Sequence, residues 1–396
     1  MITQVFKIYL VSYIKLSCFF WFSPVYWNSS LSKIEPIREK KRRDVFYVQR
    51  VIFTCYVLGM VWHVVDGSSP TDLKLQAMAI IPIFVGILFL TWIWSLELSP
   101  VQLFNSLSKF EQYLIKEYSQ LIFWGRSENT INSTRGMLHF CRILQATSIL
   151  CPFLNFALVL VNPCQPPFLG SMTHFCSGGV WSDSGIAKYF RFPIALADLW
   201  FCILCNTGGG AFIIMFFGVC VTSFLEYLDV ISKYLMYSPS PRLIVMRYIT
   251  LYRKILIAEK MLNATFASYI FPGILFSCTG IQIFSGFVSI SRHSLIPMPQ
   301  FLLYPLVWLN CTLFNLLVTT LSSYVYKNSN KIIGNLVEIR SHLRFRFGRR
   351  LLSREVRSCS RLKIRFGNNF FNGITPLVSQ DLALSQTMSL VLLRKS

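Results

Sequence analysis

The sequence predicts an all-α membrane protein with seven transmembrane helices, a cytosolic N-terminus and an extracellular C-terminus. Of its 396 residues, 54% are apolar and only 14% are charged, whereas soluble domains carry roughly 25% charged residues. The apolar residues collect in stretches that approach or exceed the roughly 20 residues a helix needs to cross a bilayer. Lysine and arginine concentrate in alternate connections between these stretches, which predicts the orientation.

The first 44 residues are predicted to form a cytosolic segment, followed by a seven-helix domain over residues 45–396. Lys7 and Lys15 interrupt the hydrophobic start of the chain. The apolar stretch 16–27 has no convincing small-residue cleavage site. We therefore expect an amphipathic or membrane-grazing segment that stays in the mature protein, and not a signal peptide.

The seven predicted spans differ in apolar character, and the seventh is the least apolar. Their approximate limits are 45–65, 77–96, 143–161, 197–221, 267–290, 300–326 and 374–393. Within the connections 223–266 and 327–372, apolar residues recur at helical spacing. This periodicity predicts that the neighbouring helices continue beyond the membrane into the cytosol.

The distribution of basic residues predicts which side faces the cytosol. With the N-terminus inside, that side carries 31 lysine and arginine residues and the other side carries 6, while Arg50 lies within the first span. This asymmetry accounts for the net charge of +21 without a nucleic-acid partner. The basic stretch 344–361 either faces anionic membrane lipid or only marks the cytosolic side.

The cysteines predict one disulfide and no metal site. Cys202 and Cys205 form a C-x-x-C pair inside an apolar stretch, with no second pair at a spacing typical of zinc sites. Cys164 and Cys176 both lie in the longest predicted extracellular loop, 162–196, which faces an oxidising compartment. We predict a disulfide between them.

The sequence contains no motif typical of an enzyme. It lacks H-E-x-x-H, the phosphate-binding lysine loop and G-x-S-x-G, so we expect neither catalysis nor a cofactor. Two alternative membrane classes remain. A divergent G-protein-coupled receptor would have an extracellular N-terminus, which the basic residues oppose. A secondary transporter would have internal repeats and paired charges near the midplane, and neither is present.

Ionisable residues at membrane depth are candidates for a functional role. Asp381, in the seventh span, either attracts cations in a water-filled path or accepts hydrogen bonds inside the helix bundle. His63 and Asp198 lie near the outer boundary, where we expect them to be solvated. Arg50 lies near the inner boundary, where we expect its charge to reach water.

Six aromatic residues lie toward the outer halves of the predicted helices. Such residues either line a pocket for a small ligand or belong to the aromatic belt at the membrane interface. They are Trp62, Phe153, Phe156, Trp200, Tyr304 and Trp308.

Seven spans, a cytosolic N-terminus, long cytosolic extensions and a very short C-terminal tail resemble the insect-type gustatory and odorant receptor superfamily. The run 361–378 before the last span is similar to the ending of divergent gustatory-type receptors from springtails. The superfamily signature in the last helix is Thr-Tyr, five hydrophobic residues and Gln-Phe. Here Thr387-Met388 and the run 389–393 are followed by Arg394-Lys395.

The resemblance implies a chemosensory receptor, gustatory or odorant, that acts as a subunit of a ligand-gated, non-selective cation channel. It implies a homo- or hetero-tetramer with related subunits in the plasma membrane of sensory neurons. The four last helices would surround a central pore, and the cytosolic extensions would form an anchor between subunits. A small-molecule tastant or odorant would bind in an outer pocket of each subunit.

Carried over to this sequence, the resemblance implies a set of pore-lining residues in the last helix. Val391 matches a hydrophobic constriction, while Arg394 and Lys395 occupy the outer mouth. Asp381 and Thr387 complete the predicted lining. Two positive charges from each of four subunits would repel cations by roughly 1 kcal/mol per close pair in water. Either these side chains point away, or the subunit conducts poorly, or the ending comes from a truncated gene model.

Overall fold

The computed structural model describes residues 2–66, 71–96, 99–123, 128–177, 180–182, 185–237, 241–291, 293–294, 296, 298, 300–342 and 346–395. This part of the chain contains twelve α-helices and three two-stranded antiparallel hairpins. The helices are α1 (Ile2–Phe19), α2 (Lys40–Asp66), α3 (Thr71–Leu96), α4 (Ser99–Phe123), α5 (Glu128–Val161), α6 (Gly185–Ile213), α7 (Thr222–Tyr237), α8 (Pro241–Phe266), α9 (Ile270–Ser291), α10 (Leu303–His342), α11 (Arg346–Arg357) and α12 (Thr375–Lys395). The strands are β1 (Val25–Asn28), β2 (Lys33–Pro36), β3 (Cys176–Ser177), β4 (Val180–Trp181), β5 (Arg365–Phe366) and β6 (Asn369–Phe370).

Five helical segments in the described residues are long and apolar enough to cross a bilayer, and the chain is a multi-pass membrane protein. They are Lys40–Asp66, Arg135–Val161, Gly185–Gly208, Ile270–Ser291 and Leu303–Glu338. A shorter apolar helical stretch, Gln76–Trp92, coincides with the second predicted span. Helix α12 coincides with the seventh, but Gln380, Asp381 and Gln386 make it more polar than the others. Seven crossings and the orientation remain predictions.

The N-terminal helix packs into the helix bundle. Phe6, Leu10 and Tyr13 recur at helical spacing along α1 and are buried in the main hydrophobic core. The helix ends at Phe19, before Trp21 takes a φ of 60° outside the right-handed helical region. Only residues 16–19 of the stretch 16–27 belong to this helix, and β1 begins within that stretch. Its contact with the membrane stays a prediction.

Arg50 is enclosed within the bundle. Its guanidinium lies 4.8 Å from the ring centroid of Phe46 and 4.6 Å from that of Trp92. It also donates a hydrogen bond to the backbone carbonyl of Thr91, and the side chain is 0% exposed. The prediction that this charge reaches water is wrong, because two aromatic rings stabilise the cation inside the bundle.

Helix α9 lies at the centre of the packing and contacts α3, α10 and α12. The close approach depends on Gly286. A Cβ atom at this position would lie 3.0 Å from Nε1 of Trp308 on α10 and 3.3 Å from Cγ2 of Thr387 on α12. A larger residue would therefore separate the three helices.

The remaining helices form a second layer at one end of the bundle. A π-helical segment, Ile214–Val221, joins α6 to α7. Helices α4, α7 and α8 pack on one another, and α10 continues past its apolar part to contact α11. The helical continuation predicted for 223–266 and for the start of 327–372 is confirmed as helix.

Residues 358–367, which we call the strap, bind to α8 on their way to α12. Asn263 on α8 donates from Nδ2 to the carbonyl oxygen of Lys363 at 2.8 Å and accepts from the N–H of Arg365 at 2.9 Å. The N–H of Lys363 also donates to Oε1 of Glu259 at 3.3 Å. Burial raises the pKa of Glu259 above its ordinary value, although the N–H of Lys363 lowers it in part.

The strap is also tied to α10 and to the middle of α8. The N–H of Leu362 donates to Oγ of Ser329 on α10 at 2.8 Å. Tyr252 on α8 donates from its hydroxyl to the carbonyl oxygen of Ser360 at 2.8 Å. The strap ends at Gly367, whose φ of 57° favours glycine. Backbone geometry is therefore closely specified just before the last helix.

Candidate ligand-binding cavity

A cavity of about 210 Å³ lies between α3, α5, α6, α9 and α10. Pro82, inside α3, lines it. Proline has no N–H to continue the helical hydrogen-bond ladder, so α3 is locally weakened at the cavity wall. An apolar cavity of about 150 Å³ can hold benzene, so this one has room for a small organic molecule.

The walls of the cavity are mainly apolar. They include Ile83, Phe84, Leu90, Phe140, Ile274 and Val307. No aspartate, glutamate, lysine, arginine or histidine lines the cavity among the described residues. Transfer of an ion into such surroundings is costly, so the geometry favours an uncharged occupant.

Several polar side chains at the wall form hydrogen bonds within their own helix. Thr147 donates from Oγ1 to the carbonyl oxygen of Leu144 at 3.1 Å. Asn206 donates to that of Cys202 at 2.8 Å. Ser285 donates likewise to Ile281. These groups therefore satisfy much of their hydrogen-bonding capacity without an occupant.

Asn155 on α5 has no such bond. Its side chain is 3% exposed and lines the cavity. Neither Nδ2 nor Oδ1 has a hydrogen-bond partner among the described residues. Buried amides are normally paired, so this donor and acceptor are available to a molecule in the cavity.

The loop between α5 and α6 closes one end of the cavity. Phe168 from this loop is buried and lines the cavity. The loop is cross-linked by the disulfide between Cys164 and Cys176, the pair singled out in the sequence. Between them, Gln165 donates from Nε2 to Oε1 of Gln76 on α3 at 3.0 Å. We call residues 162–177 the roof.

Asp198 holds the roof against α2 and α6. Its Oδ1 accepts the hydroxyl of Tyr56 at 2.7 Å and the N–H of Leu169 at 3.2 Å. The side chain is 0% exposed. The prediction that Asp198 is solvated is wrong, because the roof covers it. A buried carboxylate needs such donors, so the contact fixes the position of Phe168.

Of the six aromatic residues predicted to line a pocket, all of which are described, Tyr304 alone lines this cavity. Trp62 and Phe153 are 71% and 60% exposed on the outside of the chain. Phe156 packs edge-on against Phe192.

The other two predicted pocket residues also lie outside the cavity. Trp200 packs edge-on against Phe20, with ring centroids 5.3 Å apart. Trp308 faces Gly286 on α9. Both side chains therefore contribute to helix packing and not to the cavity wall.

Three amide side chains connect the helices around the cavity to α12. Asn315 on α10 donates from Nδ2 to Oε1 of Gln282 on α9 at 3.1 Å. Gln282 donates from Nε2 to Oε1 of Gln380 on α12 at 2.8 Å. We call these residues the amide chain. Because Ile281 and Ser285 on α9 line the cavity, one helix contacts both the cavity and the amide chain.

The residues predicted to line a pore lie on different faces of α12. Thr387 is buried, and its hydroxyl donates to the carbonyl oxygen of Ala383 at 2.7 Å. Val391 is partly buried against the core. Asp381 is exposed, on the same face as Leu377, Met388 and Leu392. The side chains of Arg394 and Lys395 lie outside the described residues.

Sequence reasoning missed Asn155, Gln282 and Asn315. The available signal was a carboxamide inside an apolar helix, because such a group needs a partner when it is buried. The residues predicted to line the ligand pocket were all aromatic. They therefore did not include the neutral polar groups that the structure brings to the cavity and to α12.

Two solved structures have the same fold as this chain, and both are of the insect olfactory receptor OR5 from Machilis hrabei. One matches with a TM-score of 0.61 at 13% identity and covers 89% of this chain and 90% of the receptor chain. The other, in complex with eugenol, matches with a TM-score of 0.61 at 12% identity and covers 98% and 99%. No protein-family model matches the sequence, and no curated protein does. This likeness agrees, at the level of the fold, with the resemblance inferred from the sequence.

Proposed function

Because this chain has the fold of an insect olfactory receptor, we propose that it is a chemosensory receptor subunit that opens a cation channel when a small molecule binds. The observation that carries the proposal is a cavity without charged side chains among the described residues, which shares α9 with the amide chain to α12. A ligand in the cavity would contact α9 and α10, the two helices that pack against the last helix.

The cavity is the proposed ligand site. Its volume and apolar walls suit a small, mainly apolar tastant or odorant. The related fold has been solved in complex with eugenol, which makes eugenol a reasonable first probe. The roof separates the site from one end of the bundle, so a bound molecule would be shielded from water.

Four copies of α12, from identical or related subunits, are proposed to surround the pore. One face of α12 packs on α9 and α10, while the opposite face exposes Leu377, Asp381 and Met388. We assign Asp381 to the pore, where its charge would attract cations. Thr387 and Val391 lie on the face of α12 that packs within its own chain, so we assign them to the contact of α12 with α9 and α10. Arg394 and Lys395 stay assigned to the outer mouth.

The proposed membrane placement follows the basic residues. The second layer formed by α4, α7, α8 and α11 would lie in the cytosol and anchor the subunits to one another. The arginines of α11 would then face anionic lipid of the plasma membrane. Residues 1–44 would lie on the same side, and the protein would act in sensory neurons, as the resemblance implies.

Gating is proposed to work by a shift between two populations. A ligand that binds the open arrangement better than the closed one favours opening by its difference in affinity. A difference of about 1–3 kcal/mol would change the odds of opening roughly 5–150-fold. The amide chain offers a route, because movement of α9 would displace Gln380 on α12.

Filling the cavity tests the proposal. Ser277 on α9 lines the cavity, whereas its neighbour Phe276 is 84% exposed. We expect Ser277→Leu to reduce whole-cell current evoked by eugenol and a panel of neutral volatiles by about tenfold or more, by occupying ligand space. Phe276→Leu is the matched control and should retain the response at equal surface expression.

Two results would contradict the proposed function. One is full ligand-evoked current in Ser277→Leu, which would place the ligand elsewhere. The other is absence of current from the surface-expressed natural chain, both alone and with a related receptor subunit. The second result would leave ligand binding to be measured separately.

A further inference from the structure

Asn155 differs from the other polar side chains at the cavity because both halves of its amide are unpaired. It is 3% exposed, and neither Nδ2 nor Oδ1 has a partner in the described part of the chain. Asn310 has a buried Oδ1 without a partner, but its side chain as a whole is less buried. Thr147 and Asn206 already donate within their helices. Asn155 therefore has the largest unmet demand for hydrogen bonds.

The chemistry of an amide defines the group that satisfies it. An asparagine side chain presents a carbonyl acceptor beside an N–H donor. A carboxamide or lactam presents the complementary donor and acceptor side by side, so both atoms of Asn155 are satisfied at once. A ketone or an ether satisfies only the N–H, and a hydrocarbon satisfies neither. Leaving a buried polar group unpaired lowers affinity.

The rest of the cavity limits the remainder of the ligand. No charged side chain lines it among the described residues, which disfavours a carboxylate or an ammonium group. Its volume of about 210 Å³ exceeds the roughly 150 Å³ that holds benzene. One ring with a short polar substituent therefore fits.

We propose that the cavity selects small, uncharged molecules that carry a carboxamide or lactam, and that Asn155 determines this specificity through a pair of hydrogen bonds. The inference rests on the proposed role of the cavity as a ligand site. It goes further by naming the chemical group that is recognised and the residue that recognises it.

Three probes of similar shape separate the possible contacts. Benzamide offers a donor and an acceptor, acetophenone offers an acceptor only, and isopropylbenzene offers neither. We expect the purified protein to bind them in that order of affinity, measured by ligand-induced thermal stabilisation. One neutral hydrogen bond changes affinity by roughly two- to tenfold, so with two such bonds benzamide should bind roughly four- to hundredfold tighter than isopropylbenzene.

Asn155→Leu retains the size of the side chain and removes both polar atoms. We expect benzamide to bind this variant about tenfold more weakly, through loss of the hydrogen bonds, while isopropylbenzene binds as before or better. Gln145→Leu is the matched control, because Gln145 also carries an amide on α5 but does not line the cavity. It should retain the preference for benzamide.

The outcomes separate this inference from the channel proposal. Equal affinity for the three probes in the natural chain would overturn the inference, and this measurement does not depend on a variant that folds. A preference for benzamide that survives in Asn155→Leu would also overturn it. A preference that disappears in Asn155→Leu but not in Gln145→Leu supports it, even if benzamide evokes no current, since that result bears only on the channel.

Discussion

The cavity and the strap use hydrogen bonds in opposite ways. At the cavity, Thr147, Asn206 and Ser285 bond within their own helices, and the helices meet through apolar contacts. At the strap, Asn263 and Ser329 bond across from one element to another. Apolar contacts have little directional preference, whereas hydrogen bonds hold one geometry. The cavity can therefore adapt to an occupant while the strap holds the start of α12 in place.

The largest expected effect tests whether the roof is coupled to the cavity. Opening the disulfide with Cys164→Ser and Cys176→Ser frees a loop of sequence separation 12, which is expected to cost about 3 kcal/mol. The apparent melting temperature should fall by roughly 4 °C for a chain of this length. Binding of eugenol should weaken as well, because Phe168 in the same loop lines the cavity.

Cys55→Ser controls for the removal of a cysteine, because Cys55 is free and exposed. This variant should match the natural chain in both measurements. If opening the disulfide lowered stability but left eugenol binding unchanged, the roof would be independent of the cavity.

The next effect tests whether the strap is separate from the cavity. Asn263→Ala removes the side chain that bonds to Lys363 and Arg365 and leaves their backbone groups unpaired. Because these groups are only partly buried, we expect a loss of about 2 kcal/mol, seen as a lower apparent melting temperature. Ligand affinity should stay the same.

Asn330→Ala is the matched control, because Asn330 is exposed on α10. It should leave the melting temperature nearly unchanged. A loss of ligand affinity in Asn263→Ala in proportion to the loss of stability would mean that the two regions respond as one unit.

The smallest effect concerns the charge of Glu259 beneath the strap. Burial raises its pKa above the ordinary value of 4.5. The folded state therefore binds the proton more tightly than the unfolded state, so this group destabilises the fold as pH rises through its folded pKa. Glu259→Gln cannot ionise and keeps an oxygen for the N–H of Lys363.

Thermal unfolding measured between about pH 4.5 and 7 checks this sign. The natural chain should lose stability relative to Glu259→Gln as pH rises. Glu338→Gln, on the exposed face of α10, should follow the natural chain. An opposite slope would show that the hydrogen bonds from Lys363 and Asn263 outweigh burial.

The same contrast explains what sequence could and could not predict. In the second layer, apolar residues recur every three or four positions among polar ones. The spacing of Leu228, Ile231 and Tyr248 therefore indicated helices with one buried face, and all three are buried. In α5, apolar residues lie on every side, so their spacing did not mark Phe153 as facing outward, and the amide of Asn155, two residues later, was the available sign of the inward face. The apolar residues of such a helix give no signal for its rotation.

The strap was hidden from sequence analysis for another reason. Its contacts join backbone groups near Lys363 to side chains about 100 residues earlier. A stretch rich in arginine and lysine is typical of a solvated loop, and no local pattern records that its backbone is bound. The resemblance located the segment before the last helix, but the partners of that segment required the fold.

The amide chain has a polarity that its distances alone do not convey. In each hydrogen bond the donor nitrogen is on the α10 side and the acceptor oxygen is on the α12 side. Gln282 therefore accepts a hydrogen bond from Asn315 and donates one to Gln380. A glutamate at this position could only accept, so it would keep the bond from Asn315 and require Gln380 to turn its amide and donate from Nε2. A lysine could only donate, so it would keep the bond to Gln380 and require Asn315 to turn and accept at Oδ1. Both of these atoms lack a partner among the described residues, so the residue at position 282 sets the direction in which the hydrogen bonds run.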